Sequence, residues 1–288
     1  MQGRSAITAD PTPAEPLVYE THMHTPLCNH ATGTPAEYAD VARERGLKGI
    51  IVTCHNPLPG GYASSSRMAL EQFGQYLEMV AQARESMAGI VEVRLGLEGD
   101  FVPGMEAWLE RQFASAEFDY ILGSVHPQMS EYREAFWTGN ALEFQMTYFD
   151  HLVAAAESGL YDSLSHPDLV KNIAPDEWDY RRVEGHILRS LDRIAATGIA
   201  MELNTSGLNK AIPEMNPSPR ILSEMHERGI PVVVGADAHV PQRVADRYDE
   251  AYRHLLAAGY THVSYVLNRE RRDVPIERAL ASLRLAPS

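Results

Sequence analysis

Short β-branched or apolar runs recur along the chain at Val18–Thr21, Gly49–Thr53, Ile90–Leu97, Tyr120–Val125, Tyr161–Leu164, Ile199–Leu203, Val232–Gly235 and Val263–Val266. Continuous runs of this length suit strands covered on both faces. Between them the apolar residues return at helical spacing. The clearest case is Thr34-Pro35-Ala36-Glu37, followed by Tyr38, Val41 and Ala42: an N-cap threonine, proline at the first helical position and glutamate completing a capping box, with Gly46 as the stop. Further helices are expected at about Arg67–Met87, Gly104–Ala116, Ala141–Glu157, Tyr180–Thr197, Pro219–Arg228 and Asp246–Ala258. Several end at a glycine (Gly89, Gly159, Gly198, Gly229, Gly259), as left-handed C-caps favour.

Strand and helix therefore alternate through nearly the whole length, which implies an α/β fold with parallel strands and crossover helices. Seven or eight such units favour a closed barrel over an open doubly wound sheet. No Pro/Gly linker divides the sequence, so residues 1–288 are expected to form a single barrel domain, with residues 1–16 as a flexible N-terminal extension.

Composition narrows the partners. With 44% hydrophobic and 22% charged residues the chain can bury a large core. The 25 Lys+Arg against 39 Asp+Glu give a formal charge of −14, which repels a polyanionic backbone and makes nucleic acid a poor partner. Two cysteines, Cys28 and Cys54, are too few for a disulfide framework and suit a reducing compartment. No basic start with an apolar run resembles a signal peptide, and no segment reaches the roughly 18 apolar residues of a membrane span. The reading is cytoplasmic, without a membrane partner and with no indication of oligomeric state.

The chemistry lies in where the histidines fall. His22, His24, His55, His126, His166 and His239 stand at or just past the end of an expected strand, and His30 lies in the loop after the first. In a barrel those ends open on one face, where active sites are built, so residues remote in sequence would converge. Glu98 closes the third strand and Asp237 the seventh. Imidazoles with carboxylates form a ligand set for Zn, Mn or Fe, and the alternation in His22-Met23-His24 sends both rings to one side. The number of candidates calls for two or three divalent transition-metal ions. His151, His186, His226 and His254 lie inside expected helices and His262 enters a late strand, and these read as solvated or packed side chains.

These residues resemble the PHP (polymerase and histidinol phosphatase) superfamily of metal-dependent phosphoesterases over roughly Val18 to Val266. The resemblance rests on Thr21-His22-Met23-His24, Cys54-His55-Asn56, Gly96-Leu97-Glu98, Gly123-Ser124-Val125-His126, Ser165-His166-Pro167-Asp168 and Gly235-Ala236-Asp237-Ala238-His239. It implies a distorted (β/α)7 TIM-like barrel with a trinuclear site. One ion would take His22, His24, Glu98 and Asp237; a second would share Glu98 and add His126 and His166; a third would take His30, His55 and His239. Within the superfamily the stand-alone histidinol-phosphate phosphatases are most similar, through His30 with Gly33 and Glu37-Tyr38, Arg67-Met68, Gly99-Asp100-Phe101 and Glu202-Leu203-Asn204-Thr205-Ser206-Gly207-Leu208. Cys54 stands where that group often has an aspartate, and Asn209 where a basic residue is frequent.

The expected activity is hydrolysis of a small phosphoric monoester, L-histidinol phosphate by resemblance, as a step of histidine biosynthesis. A metal-bridging hydroxide held by Glu98 and Asp237 with neighbouring ligands would attack phosphorus in line. Arg67, after the Pro59–Ser66 loop, is the first candidate to bind the phosphoryl oxygens, and Lys171 the second. Asp100 and Asp168 are candidates by position to read the substrate's imidazole and amine, and no general acid is assigned. Cys54 reads as a buried strand thiol and Cys28 as a loop residue near the metals. The alternatives are a related phosphoesterase acting on another small monoester or a nucleotide phosphodiester, and a non-catalytic metal-binding scaffold module.

Overall fold

A computed structural model describes residues 15–284; the extension expected over residues 1–16 falls almost wholly outside the described residues. Strands β1 (Tyr19–Glu20), β2 (Gly49–Val52), β3 (Glu92–Asp100), β4 (Tyr120–Ser124), β5 (Ser163–Leu164), β6 (Ala200–Asn204), β7 (Val232–Gly235) and β8 (His262–Leu267) pair in parallel in sequence order, and β9 (Glu270–Pro275) adds antiparallel to β8. The ring closes just past its first and seventh members. Ala238 N–H donates to the His22 carbonyl and His24 N–H to the Ala238 carbonyl, both at 2.9 Å, in a parallel bridge of Met23 with Ala238. The seven-stranded TIM-like barrel is thus sealed at the level of its metal-ligand candidates.

Helices α1 (Pro35–Glu44), α2 (Phe73–Ser86), α3 (Glu106–Phe113), α4 (Ser130–Phe136), α5 (Ala141–Glu157), α6 (Tyr180–Thr197), α7 (Pro219–Glu227), α8 (Tyr248–Ala257) and α9 (Ile276–Ser282) accompany the strands. The α1 capping box forms as its sequence dictates: Thr34 Oγ1 accepts from Glu37 N–H, and Glu37 returns a carboxylate oxygen to Thr34 N–H at 2.6 Å. Toward the strands' N-terminal ends the interior is filled by Tyr19, Ile51, Tyr120, Leu122, Val266 and Leu267, with the Tyr19 and Tyr265 rings 5.0 Å apart.

Some boundaries differ from expectation. The helix expected from Arg67 begins only at Phe73, because Ala69 is extended (ψ 156°) and Gln72 caps its N–H; Arg67 therefore lies on an irregular segment that turns its side chain inward. Strand β9 carries a polar, exposed sequence with no apolar alternation. It forms because Asn268 and Arg269 both adopt positive φ (53° and 62°) and turn the chain back onto β8.

Barrel closure depends on Glu20. Although fully buried, its carboxylate accepts from the N–H groups of His22 (3.0 Å), Ala236 (3.0 Å) and Ala245 (2.7 Å) and from Tyr248 Oη (2.9 Å). Burial pushes its pKa up to about 7 against the pull of these donors. Each stranded buried donor costs roughly 1–3 kcal/mol, so Glu20→Ala is expected to lower unfolding free energy by on the order of 4 kcal/mol in a urea titration, water recovering part of the rest.

Candidate metal centre

Strand β3 supplies the centre. Glu98 and Asp100, two residues apart, point to the same face of the strand and into the barrel. Glu98 is fully buried and is approached by five imidazoles. On Oε2 stand His55 Nδ1 (2.6 Å), His22 Nε2 (3.4 Å) and His24 Nε2 (3.5 Å); on Oε1 stand His166 Nε2 (3.3 Å) and His126 Nε2 (3.4 Å). Asp237 Oδ1 lies 3.1 Å from His24 Nε2 and 3.6 Å from His22 Nε2. Toward solvent, His239 Nε2 faces His30 Nε2 at 2.9 Å, and the His239 ring stacks on His24 with centroids 4.0 Å apart. All nine candidate ligands of the sequence therefore come together in one group that runs from the buried Glu98 to the exposed His30.

The backbone is bent to aim two of them. His166 (φ 26°) and Asp237 (φ 51°) both occupy the left-handed region although neither is glycine, a cost that persists only where the surroundings impose it. Asp237 is thus placed after β7, which ends at Gly235 rather than continuing to the aspartate.

The outer partners fix ring orientation. His22 Nδ1 meets Glu202 Oε1 at 2.8 Å, while Glu202 Oε2 accepts from His166 N–H (3.0 Å) and Asn204 Nδ2 (2.9 Å). His126 Nδ1 bonds to Asp100 Oδ1, and Ser206 Oγ donates to Asp237 Oδ2 at 3.0 Å. Nε2 of His22 and of His126 is thereby left free toward Glu98, the arrangement by which carboxylate-oriented imidazoles serve as ligands. Gly235 makes room for this: a Cβ there would sit 2.1 Å from Glu202 Oε1 and 2.6 Å from His22 Cβ. Glu202→Gln, which replaces an acceptor facing His22 by an ambiguous amide, is expected to cost ten- to a hundredfold in metal affinity, read by competition with a chromogenic chelator.

The donor set fits bound cations. His22 Nε2, His55 Nδ1 and Glu98 Oε2 are buried without hydrogen-bond partners, although they face one another, and coordination would satisfy them together. Charge points the same way. Burial would raise the Glu98 and Asp237 carboxyls, yet the surrounding imidazoles hold both well below the usual carboxylate range. Burial opposes protonation of His22 and His24, but Glu202 with Glu98 lifts the first, and Asp237 lifts the second to about 9. Protons on these rings offset the carboxylates, and cations of higher charge could displace them.

The substrate-side expectations fare differently. Arg67 is buried against the cluster, but its Nε and Nη2 bond Asp100 (2.6 and 3.1 Å), Nη2 also meets His126 Nδ1 (3.0 Å), and Nη1 bonds the Ser66 carbonyl (2.8 Å). Asp100, expected to face substrate, is thus the link between Arg67 and His126. Lys171 is fully buried and spends its three N–H donors on Asp168 (3.0 Å), Glu214 (3.1 Å) and the Met215 carbonyl (3.1 Å), which leaves none for a phosphate and makes it, with Asp168, a structural pair. Arg243, which no sequence motif marks, lies 2.9 Å from Asn209 with the amide oxygen turned toward it, and so brings a basic group to a position where Asn209 itself has none. Glu20, Glu202, Asn204 and Ser206 had no role assigned in sequence; the last three stood within the 202–208 stretch that carries the resemblance, and Glu20 showed only as a polar residue in a buried strand.

Fold and cluster together define an α/β barrel with a polyhistidine–carboxylate metal site at the C-terminal ends of its strands. The PHP domain matches residues 20–206, and the chain belongs to the PHP domain family. It is 38% identical over 266 residues, covering 89% of this chain and 98% of the relative, to a "Probable histidinol-phosphatase" of Deinococcus radiodurans, and 24% identical, covering 79% and 96%, to a histidinol-phosphatase of Bacillus subtilis. A crystal structure of histidinol phosphate phosphatase from Lactococcus lactis, complexed with zinc, L-histidinol and phosphate, superposes with a TM-score of 0.74 at 18% identity, over 88% of this chain and 98% of that one.

Proposed function

We propose that this chain is a metal-dependent phosphoric monoester hydrolase that cleaves L-histidinol phosphate to histidinol and phosphate. The observation that carries the reading is the convergence of five imidazoles on Glu98 at the barrel opening, in a chain 38% identical along nearly its full length to a relative bearing that name. Two or three divalent ions, drawn from Zn, Mn or Fe, would be held by His22, His24, Glu98 and Asp237; by Glu98, His126 and His166; and by His30, His55 and His239. Bound there, such ions supply Lewis acidity and water activated at neutral pH.

The chain's own residues prepare that chemistry. Glu98 presents one oxygen to each half of the cluster, Glu202 and Asp100 hold His22 and His126 in the tautomer that leaves Nε2 open, and Ser206 fixes Asp237. Held by Asp100 and the Ser66 carbonyl, Arg67 acts chiefly by positioning Asp100, and through it His126, and by adding a fixed positive charge beside them. The exposed His30 and the partly exposed His239 and Asp237 mark the side from which a small ester enters. A formal charge of −14 disfavours polynucleotides, and the two free, buried cysteines suit work in a reducing cytoplasm. No described helix is long and apolar enough to cross a membrane.

The test is a substrate panel of histidinol phosphate, nucleoside monophosphates and a chromogenic phosphodiester. The highest kcat/KM is expected for histidinol phosphate. A hundredfold better ester elsewhere in the panel would overturn the substrate assignment, and failure to hydrolyse any of them with metals loaded would favour a binding scaffold.

A further inference from the structure

Two thiols border the outer end of the cluster and have no part in the reading above. Cys28 is fully buried, at the end of the turn Pro26–Cys28, and Asn29 at φ 68° reverses the chain so that His30 folds back over it. Sγ of Cys28 and one ring nitrogen each of His30 and His239 lie within 4.8 Å of one another. Cys28 Sγ also groups on that scale with Cys54 Sγ and a nitrogen of His24. A buried thiol that merely packs has aliphatic neighbours; this one has imidazoles.

The two outer rings are arranged for an ion. His30 Nδ1 is 2.7 Å from the Cys28 carbonyl and His239 Nδ1 is 3.0 Å from the Asp237 carbonyl, so each Nδ1 acts as donor. When both rings are neutral, that leaves two Nε2 lone pairs facing each other at 2.9 Å, which is repulsive unless a proton or a cation lies between. A further polar atom aims at the same place. His24 turns Nε2 to Asp237, and its buried Nδ1 has no hydrogen-bond partner.

We propose that Cys28 Sγ is a ligand of the outermost ion, forming with His30 and His239 a thiolate and bis-imidazole site in which it takes the place given above to His55, whose Nδ1 faces Glu98 at 2.6 Å. Cys54 is excluded from that role, since its Sγ already accepts from Thr25 Oγ1 (3.1 Å) and Thr25 N–H (3.4 Å) and it groups with neither His30 nor His239. A sulfur ligand at this position selects zinc, cobalt or iron over manganese or magnesium, so the outer position would differ in metal preference from the oxygen-rich position at Glu98 and Asp237. The assignment rests on the metal-centre reading and refines it.

The test is spectroscopic and independent of turnover. The full chain, stripped of metal and titrated with Co²⁺, is expected to show visible ligand-field bands together with a near-ultraviolet sulfur-to-cobalt charge-transfer band. Cys28→Ser and Cys28→Ala should lose the charge-transfer band and bind about one ion fewer per chain. They should keep the visible bands of the ions at Glu98, which also report that the variants are folded. Cys54→Ser should retain both. Visible bands without a charge-transfer band in the unaltered chain, or a charge-transfer band that survives Cys28→Ala or disappears only in Cys54→Ser, would overturn the assignment. Absence of all cobalt binding would instead overturn the metal centre itself, and this assignment with it.

Discussion

Glu98→Gln is expected to reduce hydrolysis of histidinol phosphate by roughly a thousandfold, or about 4 kcal/mol of transition-state stabilisation, because ion-based catalysis supplies several kcal/mol and this carboxylate serves both halves of the cluster. The amide keeps the size of the side chain but removes its charge and one acceptor. Oε1 faces His126 and His166 while Oε2 faces His22, His24 and His55, so a single substitution degrades every ligand group that meets at the strand. The loss should fall on kcat, with metal content by elemental analysis falling in parallel. Glutamine with unchanged metal content and unchanged kcat would remove Glu98 from the centre of the site.

Removal of the ions is the second large effect. Dialysis against a chelator should abolish turnover and lower Tm by on the order of 10 °C, since an ion present at a thousand times its Kd adds about 4 kcal/mol and each kcal/mol moves a chain of this size by about 2–4 °C. Re-addition of Zn or Mn should restore both. The deficit should also depend on pH. In the metal-free chain His24 is raised from 6.5 to about 9, and His22 and His126 are raised as well. A raised histidine contributes stability that is complete below its unfolded value and is lost as pH climbs through the folded one. Calorimetry should therefore find the metal-free chain weakening from about pH 7.5 toward 9, because the depressed His55, His166 and His239, neutral in the folded chain, are also neutral in the unfolded chain once the pH is well above 6.5.

What the sequence disclosed follows from period and position. Buried parallel strands leave apolar runs, and a polar residue at the close of such a run is conspicuous; Glu98, His55, His126 and His166 could therefore be found, and barrel closure brings them to one place. Residues whose work lies inside a strand were less visible. Glu202 and Asn204 alternate with Met201 and Leu203 in β6, a pattern equally consistent with one wet face, and only the closed ring shows that their side chains meet His22 and His166. The cations were harder to place for a related reason. Arg67 and Lys171 follow ligand-bearing segments, but whether a guanidinium or ammonium reaches substrate depends on its acceptors, and Asp100, Asp168 and Glu214 come from other parts of the chain. Strand β9 escaped because its pairing is set by two left-handed residues at the turn and not by apolar alternation.

The most direct measurement is anomalous scattering from crystals of the metal-loaded chain with phosphate bound, recorded at the zinc, iron and manganese absorption edges. Peaks are expected within coordinating distance of both Glu98 oxygens, one flanked by His22, His24 and Asp237 and another by His126 and His166, with phosphate between them and the outer His30–His239 pair. Active crystals whose anomalous peaks lie elsewhere, with Glu98 coordinating nothing, would contradict this arrangement.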